Sequence, residues 1–140
     1  MKALDVRARV LEDVRAFFDA RGFLEVTTPV LVPSPGMDLH LDAFAVGERF
    51  LATSPEYQMK RLLADGFERV FQIGPCFRRG EKGARHNPEF AMLEWYRRGA
   101  DVEDVMRDTE QLVARVSGGA FEVEGRRTAA LPPFRRMTTG

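Results

Sequence analysis

The stretch CFRRGEKGARHNPEFAMLEWYR, residues 76–97, decides the predicted fold of this chain. Residues 70–73 and 76–78 have strand character, residues 79–87 are polar with two glycines, and PEFAMLEWYR then resumes a strand pattern. Two strand-like runs separated by a polar, glycine-containing segment are typical of a hairpin. The sequence therefore predicts an antiparallel hairpin with a long loop.

One face of the second hairpin strand carries an unusual mixture of side chains. Because side chains alternate across a strand, this face presents Phe90, Met92, Glu94 and Tyr96. A carboxylate and a phenol beside apolar groups are costly to bury without a partner, so the face is predicted either to be wet or to bind a cation. A solvent-facing strand of alternating polarity is the alternative interpretation.

The hairpin loop is rich in cations. Arg78 ends the first strand, and the loop itself adds Arg79, Lys82, Arg85 and His86 together with Gly80 and Gly83. Cations on flexible backbone between two rigid strands favour a phosphate-binding site. An ordinary exposed loop has the same composition, so both interpretations stand.

Helices and short strands are predicted around the hairpin, which gives an α+β fold with helices packed on an antiparallel sheet. Helical patterns run over 6–18 with Asp5 as cap, from Ser54 as cap to Gly66, and from Asp101 as cap to Gly118. The inner face of the last helix is predicted to carry Val102, Val105, Met106, Leu112, Val113 and Val116. Strands are predicted over 23–28, 41–46 and 50–53, with a turn at Gly47 and Glu48, a loop over 32–38 and a weak strand over 121–125.

The composition suits one packed domain. The chain has 140 residues, of which 44% are hydrophobic, and its 21 Lys and Arg balance 21 Asp and Glu, so no net field attracts nucleic acid or a membrane. Cys76 is the single cysteine, which rules out an intrachain disulfide and favours a core role. Without an apolar run of signal length, we expect a soluble, unprocessed cytoplasmic protein with no membrane segment.

The order and spacing of the motifs resemble the catalytic domain of class II aminoacyl-tRNA synthetases, specifically the lysyl branch. ARGFLEVTTPVL, at 20–31, resembles the end of motif 1, about residues 10–31, which forms the dimer interface in that family. Residues 53–74 resemble the amino-acid-binding helix, about 53–66, and the strand after it. Residues 76–97 resemble motif 2, with HNPEF and LEWY as the most specific parts.

The resemblance implies an ATP site built from motif 2. Arg78 would be the catalytic residue that grips the α-phosphate of ATP. His86 and Arg85 would reach the outer phosphates, and Phe90 would stack on adenine.

The resemblance also implies an amino-acid site. Glu56, which by itself is typical of a favourable charge near a helix N-terminus, would hold the α-amino group or its β counterpart. Glu94 and Tyr96 would receive the side-chain ammonium of lysine. The carboxylate of the amino acid would then attack the α-phosphate, helped by positioning and charge neutralisation and without a nucleophilic side chain.

Within the lysyl branch, the chain resembles the stand-alone paralogues that attach lysine or β-lysine to elongation factor P in place of tRNA. The LEWYR ending resembles theirs, and motif 1 begins within a few residues of Met1, which leaves no space for an anticodon-binding domain. The expected protein is an ATP-dependent ligase that dimerises through the motif 1 region. The alternatives are a lysyl-tRNA synthetase fragment, a non-catalytic module that dimerises or senses an amino acid, and a truncated reading frame without a function.

The chain departs from the family pattern in two places. Family motif 2 usually has Glu two positions after its arginine, where this chain has Gly80, with Glu81 one position later. Motif 3, with its second ATP-binding arginine, is missing, as are the acidic Mg²⁺ ligands that precede it. We therefore expect no metal site in the chain, Mg²⁺ ligands in the missing C-terminal half, a poorly ordered end at 125–140, and weak or no activity of the chain alone.

Overall fold

The structure is a computed structural model, and it describes residues 2–36, 39 and 41–138. Internal contacts divide the chain into one unit of residues 22–98 and another formed by the residues before 22 and after 98. In chain order the elements are α1 (Ala3–Asp19), β1 (Leu24–Glu25), β2 (Leu31–Val32), β3 (Ala45–Val46), β4 (Arg49–Leu51), α2 (Glu56–Ala64), β5 (Arg69–Phe77), β6 (Glu89–Arg97), α3 (Val102–Ser117), β7 (Ala120–Val123) and β8 (Arg126–Ala129). The fold is α+β, as the sequence predicts.

The predicted hairpin is confirmed and forms the centre of the 22–98 unit. Strands β5 and β6 pair antiparallel over nine residues each, from Arg69 opposite Arg97 to Phe77 opposite Glu89. Strand β1 pairs parallel with β5, so the sheet order is β1–β5–β6 and the sheet is mixed. The hairpin therefore gives the site a rigid two-stranded base.

The strand predicted over 23–28 is shorter in the structure. It pairs with β5 only at Leu24 and Glu25, and the N–H of Val26 then donates to the carbonyl oxygen of Phe71 at 2.8 Å. The chain leaves the ladder before Pro29, which has no N–H to donate. The strand therefore ends where the chain turns away from β5, although the strand propensity of the sequence continues to residue 28.

The second sheet of the 22–98 unit has the order β2–β4–β3 and is antiparallel. The predicted turn at Gly47 and Glu48 joins β3 to β4, and Gly47 has a φ of 60° there. Strands β3 and β4 are shorter than the predicted runs 41–46 and 50–53. In the predicted loop 32–38, Val32 pairs with Phe50, and Met37 and Asp38 lie outside the described residues.

Helix α2 begins one residue later than the sequence predicts. Pro55 occupies the cap position, and the hydroxyl oxygen of Ser54 accepts a hydrogen bond from the N–H of Glu56 at 3.1 Å. Met59 is completely buried and anchors the helix in this unit. The first residues of α2 are consequently fixed both by a side-chain cap and by core packing.

Helices α1 and α3 pack together in the other unit, where Arg115 Nε donates to Asp13 Oδ1 at 3.2 Å. Helix α1 begins before the predicted start at residue 6, and Asp5 lies in its first turn, where its carboxylate accepts from the N–H of Lys2 at 3.1 Å. The predicted ends of α3 are confirmed. Asp101 caps it by accepting from Asp104 N at 2.9 Å, and Gly118 ends it with a φ of 63°.

The predicted inner face of α3 is partly wrong. Val102 is 70% exposed, whereas Glu110 is buried. Glu110 accepts a hydrogen bond from the N–H of Phe134 at 3.0 Å and pairs with Arg136 at 2.8 Å. These partners satisfy the buried carboxylate of Glu110. The chain after β8 therefore packs beside Glu110 and leaves the valines of the first turns, Val102 and Val105, exposed.

The predicted weak strand over 121–125 is confirmed as β7, and it pairs with β8, which the sequence did not indicate. The prediction that residues 125–140 are poorly ordered stays a prediction. None of the helices in the described part of the chain is both long and apolar enough to cross a membrane.

Candidate functional site

Glu94 on β6 is held by two hydroxyl groups. Its Oε1 accepts from Ser54 Oγ at 2.5 Å, and its Oε2 accepts from the Tyr96 hydroxyl at 2.8 Å. Ser54 Oγ also accepts from the N–H of Glu56, so it links β6 to the first turn of α2. The predicted amino-acid-binding residues Glu56, Glu94 and Tyr96 therefore lie together in one cluster, which we call the acidic cluster, with Ser54 as its fourth member.

The hydroxyl group of Tyr96 keeps its proton. Burial, and then the hydrogen bond to Glu94, raise the pKa of Tyr96 above its ordinary value. Tyr96 thus remains a donor at neutral pH. An ionised carboxylate has about four lone-pair positions, so two hydroxyl donors leave Glu94 able to accept from a cation as well.

Glu56 already has a cationic neighbour. Lys60, one turn along α2, bonds the Glu56 carboxylate, and this hydrogen bond is the main cause that raises the pKa of Lys60. Both side chains are largely exposed, so the pair is weak. A ligand ammonium at Glu56 would share the carboxylate with Lys60 or displace it.

Arg78 forms a second cluster, which we call the cationic cluster, with Arg85 and His86 at the loop end of the hairpin. Its guanidinium carbon lies 5.2 Å from the ring centroid of Phe90, and its Nε donates to the carbonyl oxygen of Thr53 at 3.4 Å. Its Nη1 is 3.5 Å from Glu81 Oε1. Glu81, which stands one position later than the acid of the family pattern, therefore still pairs with Arg78. The turn between them includes Gly80, which has a φ of 87°.

An open cleft of about 280 Å³ collects the predicted ATP-binding residues. Its lining consists of Arg78, Glu81, Arg85, His86, Asn87 and Phe90. A cleft with several convergent polar groups beside an aromatic ring is a typical small-molecule site. The amide of Asn87 was missed by sequence reasoning, although it belongs to the HNPEF run. Ser54 was also missed, because it was interpreted only as a helix cap.

Cys76 lies on the hairpin face between the two clusters. It is 1% exposed, and burial is the largest cause that raises its pKa to about 11. The charge of Glu94 raises this pKa further, and the charge of Arg78 lowers it. Arg78 donates to Thr53, and the next residue, Ser54, donates to Glu94, so the acidic and cationic clusters adjoin.

The protonation of Cys76 should make the stability of the chain depend on pH. Its pKa is raised from 9.0 to about 11, so the folded state holds the proton more tightly than the unfolded state. The resulting stabilisation is fully present below pH 9 and is lost as the pH rises through 11. We expect a loss of about 1 to 2 kcal/mol, less than the full shift implies because solvent screens part of it.

Urea unfolding of the chain and of Cys76→Ala at pH 8, 9, 10 and 11 tests this dependence. The extra loss above pH 9 should be absent from the variant. Parallel pH profiles for the two proteins would show that another group is responsible.

Within residues 2–36, 39 and 41–138, no group of three or more His, Cys, Asp or Glu side chains is placed to hold a metal ion. The Mg²⁺ that the family resemblance implies therefore has no donor set of its own among these residues. The Mg²⁺ ligands in a C-terminal half of the ligase stay a prediction.

Comparison with known proteins identifies the family. Residues 1–140 match the class II tRNA synthetases (D, K and N). The chain belongs to this family. This match confirms the resemblance to class II synthetases, and the bounds of motif 1, the amino-acid-binding helix and motif 2 stay predictions.

The chain is also similar to curated proteins named elongation factor P–(R)-β-lysine ligase. That of Mannheimia succiniciproducens is 44% identical over 126 residues, which cover 83% of this chain and 39% of that protein. That of Haemophilus influenzae Rd is 45% identical over 120 residues, covering 79% of this chain and 37% of that protein. That of Pasteurella multocida is 43% identical over the same length and with the same coverage. The chain thus spans well under half the length of these relatives.

Proposed function

We propose that the chain is the N-terminal part of a ligase that activates lysine or β-lysine with ATP and transfers it to a lysine side chain of elongation factor P. The acidic cluster is the observation that carries this proposal. A carboxylate held by Ser54 and Tyr96, with Glu56 bonded through its N–H to the same serine and its charge acting on Tyr96, suits a ligand with two amino groups. The names of the similar proteins support the choice of β-lysine and elongation factor P.

The two clusters suit the two substrates of such a ligase. Glu94 and Phe90 are four residues apart on β6, about 13 Å at 3.3 Å per residue. This span accommodates an extended lysine side chain followed by a phosphate group. Lysine bound with its ammonium at Glu94 would present its carboxylate toward Arg78.

The reaction proceeds in two steps. A carboxylate oxygen of the amino acid attacks the α-phosphorus of ATP, the bond to the β-phosphate oxygen breaks, and diphosphate leaves. The amine of the acceptor lysine then attacks the carbonyl carbon, AMP leaves, and the new amide nitrogen loses a proton. Arg78 would neutralise charge on the α-phosphate, and Arg85 and His86 would neutralise charge on diphosphate.

We further propose that the ligase forms a homodimer through residues 10–31 and works in the cytoplasm. Transfer to tRNA is the second candidate function, and the match to the tRNA synthetases of the D, K and N group favours it. The acceptor, and not the activation step, separates the two candidates.

The acceptor can be tested in a hybrid ligase, which we define as the Mannheimia succiniciproducens protein with its matching N-terminal part replaced by this chain. The purified hybrid is incubated with ATP and either lysine or (R)-β-lysine, and with either elongation factor P or tRNA. We expect a mass increase of elongation factor P and no charged tRNA. Charging of tRNA alone would establish the second candidate function instead.

The 140-residue chain without the rest of the ligase should not complete the activation step. Only one of the two arginines expected around ATP is present, and the transition state needs both charges. We expect lysine-dependent ATP–diphosphate exchange by the hybrid ligase and weak or undetectable exchange by the chain. Exchange by the chain at the rate of the hybrid would show that residues 1–140 form a self-sufficient enzyme.

A further inference from the structure

We infer that Gln72 is a positioning residue for the lysine end of the site, and that it acts through the segment that follows β1. The inference rests on the proposed function, because it assigns Gln72 to the pocket around Glu94. It adds a residue that neither the sequence motifs nor the relatives' names single out.

Gln72 is a buried polar side chain at the middle of the hairpin. It is 5% exposed and stands directly opposite Glu94 in the register of β5 and β6, so both side chains emerge on the same face. Its Oε1 accepts a hydrogen bond of 2.8 Å from the N–H of Thr28, which is also buried. A buried amide of this kind needs its hydrogen bond, because an unsatisfied partner costs free energy.

The bond to Thr28 replaces the sheet ladder where the chain leaves it. The last ladder-type bond on this side is donated by Val26 to Phe71, and Thr28 is followed by Pro29. Thr28 therefore needs an acceptor outside the ladder, and the side chain of Gln72 supplies it. One side-chain amide fixes the direction in which the chain departs from β1.

The departing segment leads to the acidic cluster. Beyond Thr28, the carbonyl oxygen of Val30 accepts from the N–H of Ala52 at 2.8 Å, and β2 pairs with β4. Ala52 is followed two residues later by Ser54, which donates to Glu94. Gln72 thus fixes the start of a path whose other end is the hydroxyl that orients the lysine-binding carboxylate.

Gly74 provides the space that the Gln72 amide occupies. A Cβ at Gly74 would lie 2.8 Å from Gln72 Nε2, closer than atoms can approach without a shift. The backbone of Gly74 is outside the positive-φ region that favours glycine. Gly74→Ala should therefore act on the site only by displacing the neighbouring amide.

The test uses Gln72→Met and Gly74→Ala in the hybrid ligase. We expect the KM for lysine in ATP–diphosphate exchange to rise about tenfold, while the KM for ATP stays within about twofold, because a small misplacement at one end of a site affects the group bound there. In the 140-residue chain, the Thr28 amide should exchange its hydrogen faster in both variants. Gln111→Met is the matched control, since Gln111 also accepts one hydrogen bond through Oε1 but is exposed on α3.

A double variant separates positioning from a general loss of packing. Once Gln72→Ala has removed the amide, Gly74→Ala should raise the KM for lysine no further. Equal rises of both KM values, or faster exchange at Thr28 with an unchanged KM for lysine, would overturn the inference. An unsubstituted hybrid without lysine-dependent exchange would instead contradict the proposed function.

Discussion

Replacing Arg78 with alanine in the hybrid ligase should raise the barrier to adenylate formation by about 2 to 4 kcal/mol, or about 30- to 900-fold in rate. The guanidinium of Arg78 lines the cleft of about 280 Å³ and lies over the ring of Phe90. Charge-assisted contacts of this kind strengthen as charge develops on the α-phosphate. The effect should therefore appear mainly in kcat of ATP–diphosphate exchange.

The control for Arg78→Ala is Arg49→Ala, which removes an exposed arginine on β4 that lines neither the cleft nor the acidic cluster. It should leave the exchange rate unchanged. Thermal unfolding of both variants checks that Arg78→Ala remains folded despite losing its contact with Glu81. A folded Arg78→Ala protein within a few-fold of the wild-type rate would show that the motif 2 assignment is wrong.

Replacing Glu94 with glutamine should abolish tight binding of lysine and leave ATP binding almost unchanged. The glutamine keeps the shape of the side chain, and the hydroxyl groups of Ser54 and Tyr96 can rotate to accept from its amide. What is lost is the negative charge that a substrate ammonium needs. Breaking such a partly desolvated pair should cost about 3 to 5 kcal/mol, and the KM for lysine in the hybrid ligase measures the loss.

Glu89→Gln is the matched control for Glu94→Gln, because Glu89 lies on the same strand but on the other face and is exposed. It should change neither KM. Equal loss of lysine and ATP affinity in Glu94→Gln would mean that Glu94 supports the fold instead of binding the substrate. Isothermal calorimetry with norleucine, which lacks the side-chain ammonium of lysine, should show no difference between Glu94→Gln and the wild type.

The sequence predicted the hairpin and its site face well, because strand alternation is local information. Given the pairing of β5 with β6, the placement of Phe90, Glu94 and Tyr96 on one face follows from residue spacing alone. Motif resemblance supplied the roles of these residues, and the family match confirms the resemblance. The residue roles themselves stay predictions until the substitutions above are made.

The features that the sequence did not predict depend on long-range contacts. Ser54 looked like a helix cap, and only the folded chain brings its hydroxyl to Glu94, forty residues away in sequence. Strand propensity extended the predicted strand to residue 28, whereas in the folded chain the N–H of Thr28 donates to the side chain of Gln72 and not to the backbone of β5. The sequence predicted that the valines at the start of α3 are buried, whereas Val102 and Val105 are exposed. The segment after β8 instead contacts Glu110 through Arg136, and no local pattern in the sequence indicates this pairing.

The register of β5 and β6 determines which changes in chain length this protein can tolerate. Deletion of Ala91 would shift every later residue of β6 by one position and turn Glu94 and Tyr96 away from Ser54, so the whole acidic cluster would be lost at once. Insertions near Gly83 would instead lengthen a surface turn between two fixed strand ends, at a small entropic cost. Natural variation in the length of this region is therefore expected in the loop, and the hairpin strands should keep their length.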